Sequence, residues 1–216
     1  MNKKKITIIN CGSGNILSIK RAFEKWNVEV SIADKKEEIL SASRLVLPGV
    51  GAFSHAMQNL KSIGFFDAIY SSKFKEIPLL GICLGMQLLF EESEEFGKFK
   101  GLDLIKGKVI KLPELSSNKK KLKIPSIGWN QLILSKNALT GNNSNFFKKF
   151  DKDNAFYFVH SYFSNPINKD CILASYNFGG HLIPSIVANN NIIGCQFHPE
   201  KSGAPGLNLI KNFISL

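Results

Sequence analysis

Two periods of apolar residues alternate along the first half of the chain. Lys5 to Asn10 reads as a strand, and after a glycine-containing turn, Cys11 to Gly14, the residues Ile16, Ile19, Phe23 and Trp26 recur at helical spacing. A short alternating strand at Val28 to Ile32 follows, then a helix with Asp34 as its N-cap running through Ile39 and Leu40, then a buried strand at Arg44 to Leu47. Another helix is predicted over Ser54 to Ile63. The run Ile77 to Ile82, with Pro78 and Gly81 as its punctuation, is short and apolar, as suits a central strand buried on both faces. Strand and helix in alternation predict a mainly parallel sheet covered by helices, an α/β architecture.

From Gly107 the texture changes. Short strand-like runs, Lys108 to Leu112, Gln131 to Leu134, Ala155 to Val159, Ile172 to Tyr176 and Ile192 to Phe197, are separated by Asn, Gly and Pro clusters, so the second half reads as β-rich. Gly206 to Ser215 carries Leu207, Ile210 and Phe213 at helical spacing and closes the chain. No repeat or linker divides the 216 residues, which fit one domain, 1–216.

Composition narrows the classes. Hydrophobic residues at 44% and charged residues at 21% exclude a disordered chain. A net charge of +11 invites a nucleic-acid or anionic-membrane partner, yet only Arg21 and Arg44 are arginines and the lysines are scattered, Lys119 to Lys123 apart. No nucleic-acid partner is expected. The longest apolar runs, Ile77 to Cys83 and Ile192 to Phe197, fall far short of the roughly 18 residues that span a bilayer. Lys3 to Lys5 are followed only by Ile6 to Ile9, interrupted at Thr7 and stopped by Asn10 and Gly12, so no leader is expected and a cytoplasmic location is predicted. Cys11, Cys83, Cys171 and Cys195 lack metal-ligand or disulfide spacing, so neither a metal nor a disulfide framework is indicated.

One cysteine stands apart. In Gly81-Ile-Cys83-Leu-Gly85 a buried strand gives way to a helix, and the flanking glycines let the backbone turn sharply, holding the Cys83 side chain at the helix N-terminus, where the dipole favours a thiolate. The same turn aims the Leu84 amide at a reacting carbonyl. Cys11, Cys171 and Cys195 have no such context and read as small buried core residues. Of four histidines, His55 falls on a surface helix and His181 in a Gly-Gly-His turn, while His160 ends an apolar strand and can line a pocket. His198 ends the strand before Pro199, which blocks further pairing, and Glu200 lies within reach of its imidazole. Cys83, His198 and Glu200 thus form a candidate triad of nucleophile, base and orienter. Leu47-Pro-Gly-Val-Gly-Ala-Phe53 follows the third strand, with amides near Val50 and Gly51 able to complete an oxyanion hole. Gly12-Ser-Gly14 lacks phosphate-loop spacing, and no nucleotide or other cofactor is assigned.

Together these pieces resemble the class I, triad-type glutamine amidotransferases. Pro48-Gly-Val-Gly51, Gly81-Ile-Cys-Leu-Gly-Met-Gln87 and Gln196-Phe-His-Pro-Glu200 stand in that family's order, and the likeness extends through Gly12-x-Gly-Asn15, Cys83 through Glu95, Ile127-Gly-Trp-Asn130, Tyr157-Phe-Val-His-Ser-Tyr162, Pro184-Ser185 and Lys201-Ser202. The resemblance implies a flavodoxin-like fold and release of ammonia from glutamine through a cysteine thioester. It implies oxyanion amides from Val50 and Leu84, and glutamine held by Gln87 and Glu95 with Gly51, Ser161 and Tyr162 nearby. The branch resembled most is the glutaminase subunit of the histidine pathway, which passes ammonia to a (β/α)8-barrel cyclase; Asn15, Trp129, Tyr157 and Lys201 match positions used near that partner. Trp129, read here as sitting in a loop between Gly128 and Asn130, fits an interface anchor; it could equally cap the local core.

The chain departs from the branch in two places: Ser126 stands where a histidine is frequent, and Asn10-Cys11 replaces the usual acidic-aromatic pair. Neither touches the triad. Three other readings share the motifs: a paralogue feeding ammonia to surface-polysaccharide sugar amidation, a free-standing γ-glutamyl hydrolase, and a binding module that has lost activity. The last would lack a triad member, and none is missing.

Overall fold

In the computed structural model, which describes residues 4–12, 14–140 and 144–216, five parallel strands form the centre of the molecule. They are β1 (Lys5–Ile9), β2 (Glu29–Ala33), β3 (Leu45–Leu47), β4 (Leu79–Ile82) and, from the far end of the chain, β14 (Ile192–Cys195). The sheet is completed by antiparallel β13 (His181–Asn189), β12 (Ile172–Phe178) and β9 (Ile133–Leu134), in the order β2-β1-β3-β4-β14-β13-β12-β9. Lys3 and Ser13, singled out above, lie outside the described residues.

Alternate side chains of the central strands enter two different cores. Ile6 and Ile8 of β1, Val46 of β3, and Leu80 and Ile82 of β4 pack on one face, with α1 (Ile16–Glu24) and α6 (Gly203–Ser215). Ile9, Leu45, Leu47 and Leu79 pack on the other, against α2 (Lys36–Leu40), α3 (Phe53–Ser62), α4 (Phe65–Ile69) and α5 (Leu84–Leu88). Both faces being covered is why these strands read as continuous apolar runs. The first core is rich in aromatics: Phe23 of α1 meets Phe213 of α6 edge-on at 6.4 Å, and both are fully buried, each stabilising the fold by about 2 kcal/mol.

Two smaller sheets lie beside the main one. β5 (Phe90–Ser93), β6 (Phe99–Lys100), β7 (Ile105–Lys111) and β11 (Tyr162–Pro166) form one, in the order β11-β7-β5-β6. β8 (Ser126–Gln131) and β10 (Ala155–His160) pair as an antiparallel ribbon, with Trp129 opposite Tyr157.

Several local expectations are corrected. Lys35, not Asp34, precedes α2; the Asp34 carboxylate is bonded to Asn10 Nδ2 at 2.7 Å, and its amide donates to the returning Glu38 side chain at 2.9 Å. Gln131 to Leu134 is not one strand, because Gln131 ends the ribbon while Ile133 joins the main sheet. His181 opens β13 rather than sitting in a turn, and its Nε2 lies 2.8 Å from the Leu115 carbonyl. Trp129 lies in strand β8, not in a loop. Cys171 is half-buried in a 3-10 turn rather than in the core, whereas Cys11 and Cys195 are buried as expected. Among the described residues no helix is long and apolar enough to cross a membrane, and no cluster of His, Cys, Asp and Glu could hold a metal ion.

Candidate active site

The nucleophile's place is set by the meeting of β4 and α5. The Cys83 amide donates to the Cys195 carbonyl at 2.8 Å, its last tie to the sheet, and the Cys83 carbonyl accepts from the Gln87 amide at 3.2 Å, the first turn of the helix. Between these two bonds Cys83 adopts φ 54° and ψ −110°, strained for any residue but glycine. The reversal needs bare backbone on either side. A Cβ on Gly81 would lie 2.8 Å from the Gly85 carbonyl oxygen, and one on Gly85 would collide with the Leu47 carbonyl. Cys83 is thereby held at a strand-to-helix elbow beside the carboxyl edge of the sheet.

His198 comes to the same edge from β14. That strand ends at Cys195, two residues sooner than the apolar run suggests, and the His198 amide crosses instead to the Tyr157 carbonyl of the ribbon, at 2.9 Å. A 3-10 turn, Pro199–Lys201, folds Glu200 back so that its Oε1 lies 2.8 Å from His198 Nδ1. Both side chains are excluded from water, at 1% and 0% exposure, so little solvent screens the pair. With Nδ1 held by Glu200, the imidazole also interacts with the Cys83 side chain. Burial lowers the His198 pKa, but hydrogen bonds and charges from Cys83 and Glu200 outweigh it and push the group up to about 10. Cys195, next to the elbow, is moved the opposite way from a useful nucleophile: burial, then the Glu200 and Cys83 charges, raise its thiol far above the usual range.

The glycine turn after β3 faces Cys83 across the site. Its first carbonyl, Pro48, accepts from the Cys11 thiol at 3.1 Å, and its far end is fixed by the Phe53 amide donating to Glu95 Oε2 at 2.8 Å. Gly51 takes φ +102°, leaving the intervening amides turned away from regular pairing. A cavity of about 350 Å³ lies between the turn and the elbow. It is lined by Cys83 and His198, by Val50 and Leu84, and by Gly51, Gln87, Glu95, Ser161 and Tyr162; His160, Val159 and Pro125 complete the wall.

Of the side chains expected to hold glutamine, Gln87 and Glu95 are already engaged. Gln87 Nε2 donates to the Tyr162 carbonyl at 2.9 Å and to Gln196 Oε1 at 3.1 Å, and Glu95 caps α3. Gln196 in turn points its Nε2 at Cys83 Sγ, 3.8 Å away. The motif around His198 contains Gln196, but nothing in its spacing tells that the side chain folds under the thiol. Asn15, read as a partner contact, is nearly buried at 9% exposure and turns its amide to Glu200 Oε1, at 3.4 Å. Trp129 is 56% exposed and its ring meets that of Tyr157 at 5.9 Å, while Lys201 is exposed beside Glu200.

A buried cysteine at a strand-to-helix elbow, faced by a His-Glu pair and a glycine turn on a mainly parallel sheet, defines an amidotransferase-type fold and site. The chain belongs to the class-I glutamine amidotransferase family, whose profile matches residues 7–216. Among similar proteins are the imidazole glycerol phosphate synthase subunits HisH of Lactococcus lactis, 44% identical with 98% of each chain covered, and of Methanocaldococcus jannaschii, 42% identical with 98% of this chain and 99% of that one covered. HisH 1 of Legionella pneumophila is 40% identical over 98% of this chain and 99% of its own. Two solved structures share the fold. One, a glutamine amidotransferase, superposes with a TM-score of 0.71 at 16% identity, covering 98% and 99% of the two chains. The other, a glutamine amidotransferase from Thermotoga maritima, gives 0.63 at 19% identity, covering 100% of this chain and 82% of that one.

Proposed function

We propose that this chain is the glutaminase subunit of an imidazole glycerol phosphate synthase, hydrolysing glutamine and handing the ammonia to a (β/α)8-barrel cyclase subunit in histidine biosynthesis. The observation that carries the chemistry is the buried His198–Glu200 pair set against Cys83 at the elbow. The Cys83 sulfur attacks the side-chain amide carbon of glutamine, forming a C–S bond, and the oxyanion is held by the amides of Val50 and Leu84. His198 gives its proton to the nitrogen as the C–N bond breaks, releasing ammonia and leaving a γ-glutamyl thioester. Water, deprotonated by His198, then attacks the thioester; glutamate leaves and the thiolate and imidazolium are restored. Glu200 keeps the ring oriented throughout. Gly51, Gln87, Glu95, Ser161 and Tyr162 are assigned to holding glutamine, Gln87 with its carbonyl end because its amide nitrogen is spent internally.

The identity of the acceptor rests on the nearly full-length likeness to HisH proteins and on the face around the site. Ile127 and Trp129 lie 60% and 56% exposed on the outer side of the ribbon, with Tyr157 beside Trp129. Exposed aromatic and aliphatic residues so grouped fit an obligate partner better than water. Asn15, Trp129, Tyr157 and Lys201 are assigned to the cyclase contact, Asn15 through the triad it borders. Acid quenching during turnover tests the chemistry: the Cys83 peptide should carry a glutamyl adduct in mass spectra, and an adduct on any other residue, or none under steady turnover, overturns the assignment.

A further inference from the structure

Behind the cavity wall runs a line of buried polar groups that the reaction as written does not use. Tyr176 of β12 is fully buried among Phe158, Phe197 and their neighbours, yet it carries a hydroxyl. That hydroxyl lies 2.9 Å from His160 Nε2 and 3.1 Å from Ser126 Oγ. On its other side the His160 ring meets the Tyr162 carbonyl through Nδ1, at 2.9 Å; a carbonyl only accepts, so Nδ1 bears the proton. Burial, and after it the nearby His198 charge, hold His160 neutral, with its pKa lowered to about 4 despite the Tyr162 bond. The Tyr162 carbonyl accepts a second bond from Gln87 Nε2, which also reaches Gln196, whose amide faces the Cys83 sulfur.

We infer that Tyr176 and His160 are positioning residues for glutamine, fixing the Ser161–Tyr162 corner of the cavity against Gln87 and the thiol. The corner has reason to need fixing. Ser161 falls between β10, in the ribbon, and β11, in a different sheet, so the chain leaves one ladder for the other inside the cavity wall, with the Ser161 carbonyl tied across to the Leu112 amide at 2.9 Å. The His160 bond to Tyr162 spans that change of sheet, and Tyr176, from the main sheet, locks the ring that makes it. Ser126 supplies the final partner from β8, with a hydroxyl short enough to leave room for the Tyr176 ring.

This assignment rests on the glutaminase reading, and the experiment separates the two. Glutamate release is measured in the complete enzyme, the chain with its cyclase and that subunit's nucleotide ligand, for wild type, Tyr176→Phe, His160→Asn, His160→Leu and the Tyr176→Phe/His160→Leu double variant. Tyr176→Phe removes one oxygen, and with it the contacts to His160 and Ser126, but keeps the ring that packs on Phe158, and should keep the fold. The KM for glutamine should rise about three- to tenfold with kcat changed less, the loss of one hydrogen bond's worth of positioning. His160→Leu should raise KM further, His160→Asn, which retains a donor near the Tyr162 carbonyl, should recover part of the loss, and Tyr176→Phe should add nothing in the His160→Leu background. Were the residues merely structural, melting temperatures would fall additively in both backgrounds while KM stayed at the wild-type value, and that result overturns the inference. Absence of glutamate release from wild type in the complete mixture would overturn the glutaminase reading and this assignment with it.

Discussion

At the scale of residues, the site depends on one strained backbone and one buried ion pair. Replacement of Cys83 by alanine should abolish glutamate release while leaving the melting transition in place, because the elbow is held by Gly81 and Gly85 and not by the thiol; residual turnover in that variant would remove Cys83 from the mechanism. His198→Ala should be nearly as damaging, and Glu200→Ala less so, by about tenfold to a hundredfold, since an orienter contributes less than the group it orients; steady-state kcat of the two variants side by side decides it. The charge on His198 also has a signature in stability. Its folded pKa, about 10, stands above the value near 6.5 of a free imidazole, so its contribution is complete below about pH 6.5 and is lost as pH rises through 10. Denaturant unfolding of wild type and His198→Gln across that window should show wild type losing its advantage as pH rises; a gap that widens or stays constant contradicts the raised pKa. The candidate triad was legible in sequence because glycine spacing and a strand-ending proline are local signals. Asn15 beside Glu200, Gln196 under the thiol and Tyr176 behind His160 were not, because each is joined to the site by a side chain arriving from a distant element.

At the scale of elements, close approach of backbones is what shapes the elbow. Gly85→Ala would drive a methyl group into the Leu47 carbonyl, backbone that has no room to yield; a loss of about 1–3 kcal/mol in unfolding free energy, with a matching loss of turnover, is expected. Wild-type stability in that variant would mean that α5 can slide away from β3. The parallel half of the sheet was readable because four of its strands, β1, β3, β4 and β14, are buried on both faces, while the edge strand β2 is partly exposed. The antiparallel half was harder. β13 carries Pro184 in mid-strand and pairs irregularly with β12, which hides its nine-residue length behind the residue that normally ends strands. The strand character of Ile127-Gly-Trp-Asn130 was hidden likewise, because in a two-stranded ribbon with one face to solvent the apolar Ile127 and Trp129 point outward. For α2 the cap was misread because Glu38, not Asp34, bonds back to the preceding backbone.

At the scale of the whole molecule, the outward ribbon places an apolar face beside the same edge of the sheet that carries the triad, joined to it by the His198–Tyr157 backbone bond. Trp129→Ala should therefore leave the isolated chain within about 0.5 kcal/mol of wild-type stability, as a truncation of a half-exposed side chain does. In the complete enzyme it should weaken activation by the cyclase; unchanged activation at both limiting and saturating cyclase would return Trp129 to a local role. On the proposed function the two subunits are coupled: a glutamine site completed on this chain is put to work by a partner carrying its own ligand. The most direct test of this coupling is glutamate release by the purified chain, alone and with the same organism's histidine-pathway cyclase and its nucleotide ligand, with Cys83→Ala as the blank. Strong stimulation only in the full mixture is the predicted result. Full activity of the chain alone, or none in any mixture, would rule out such coupling and point to a free-standing hydrolase or to a different acceptor enzyme.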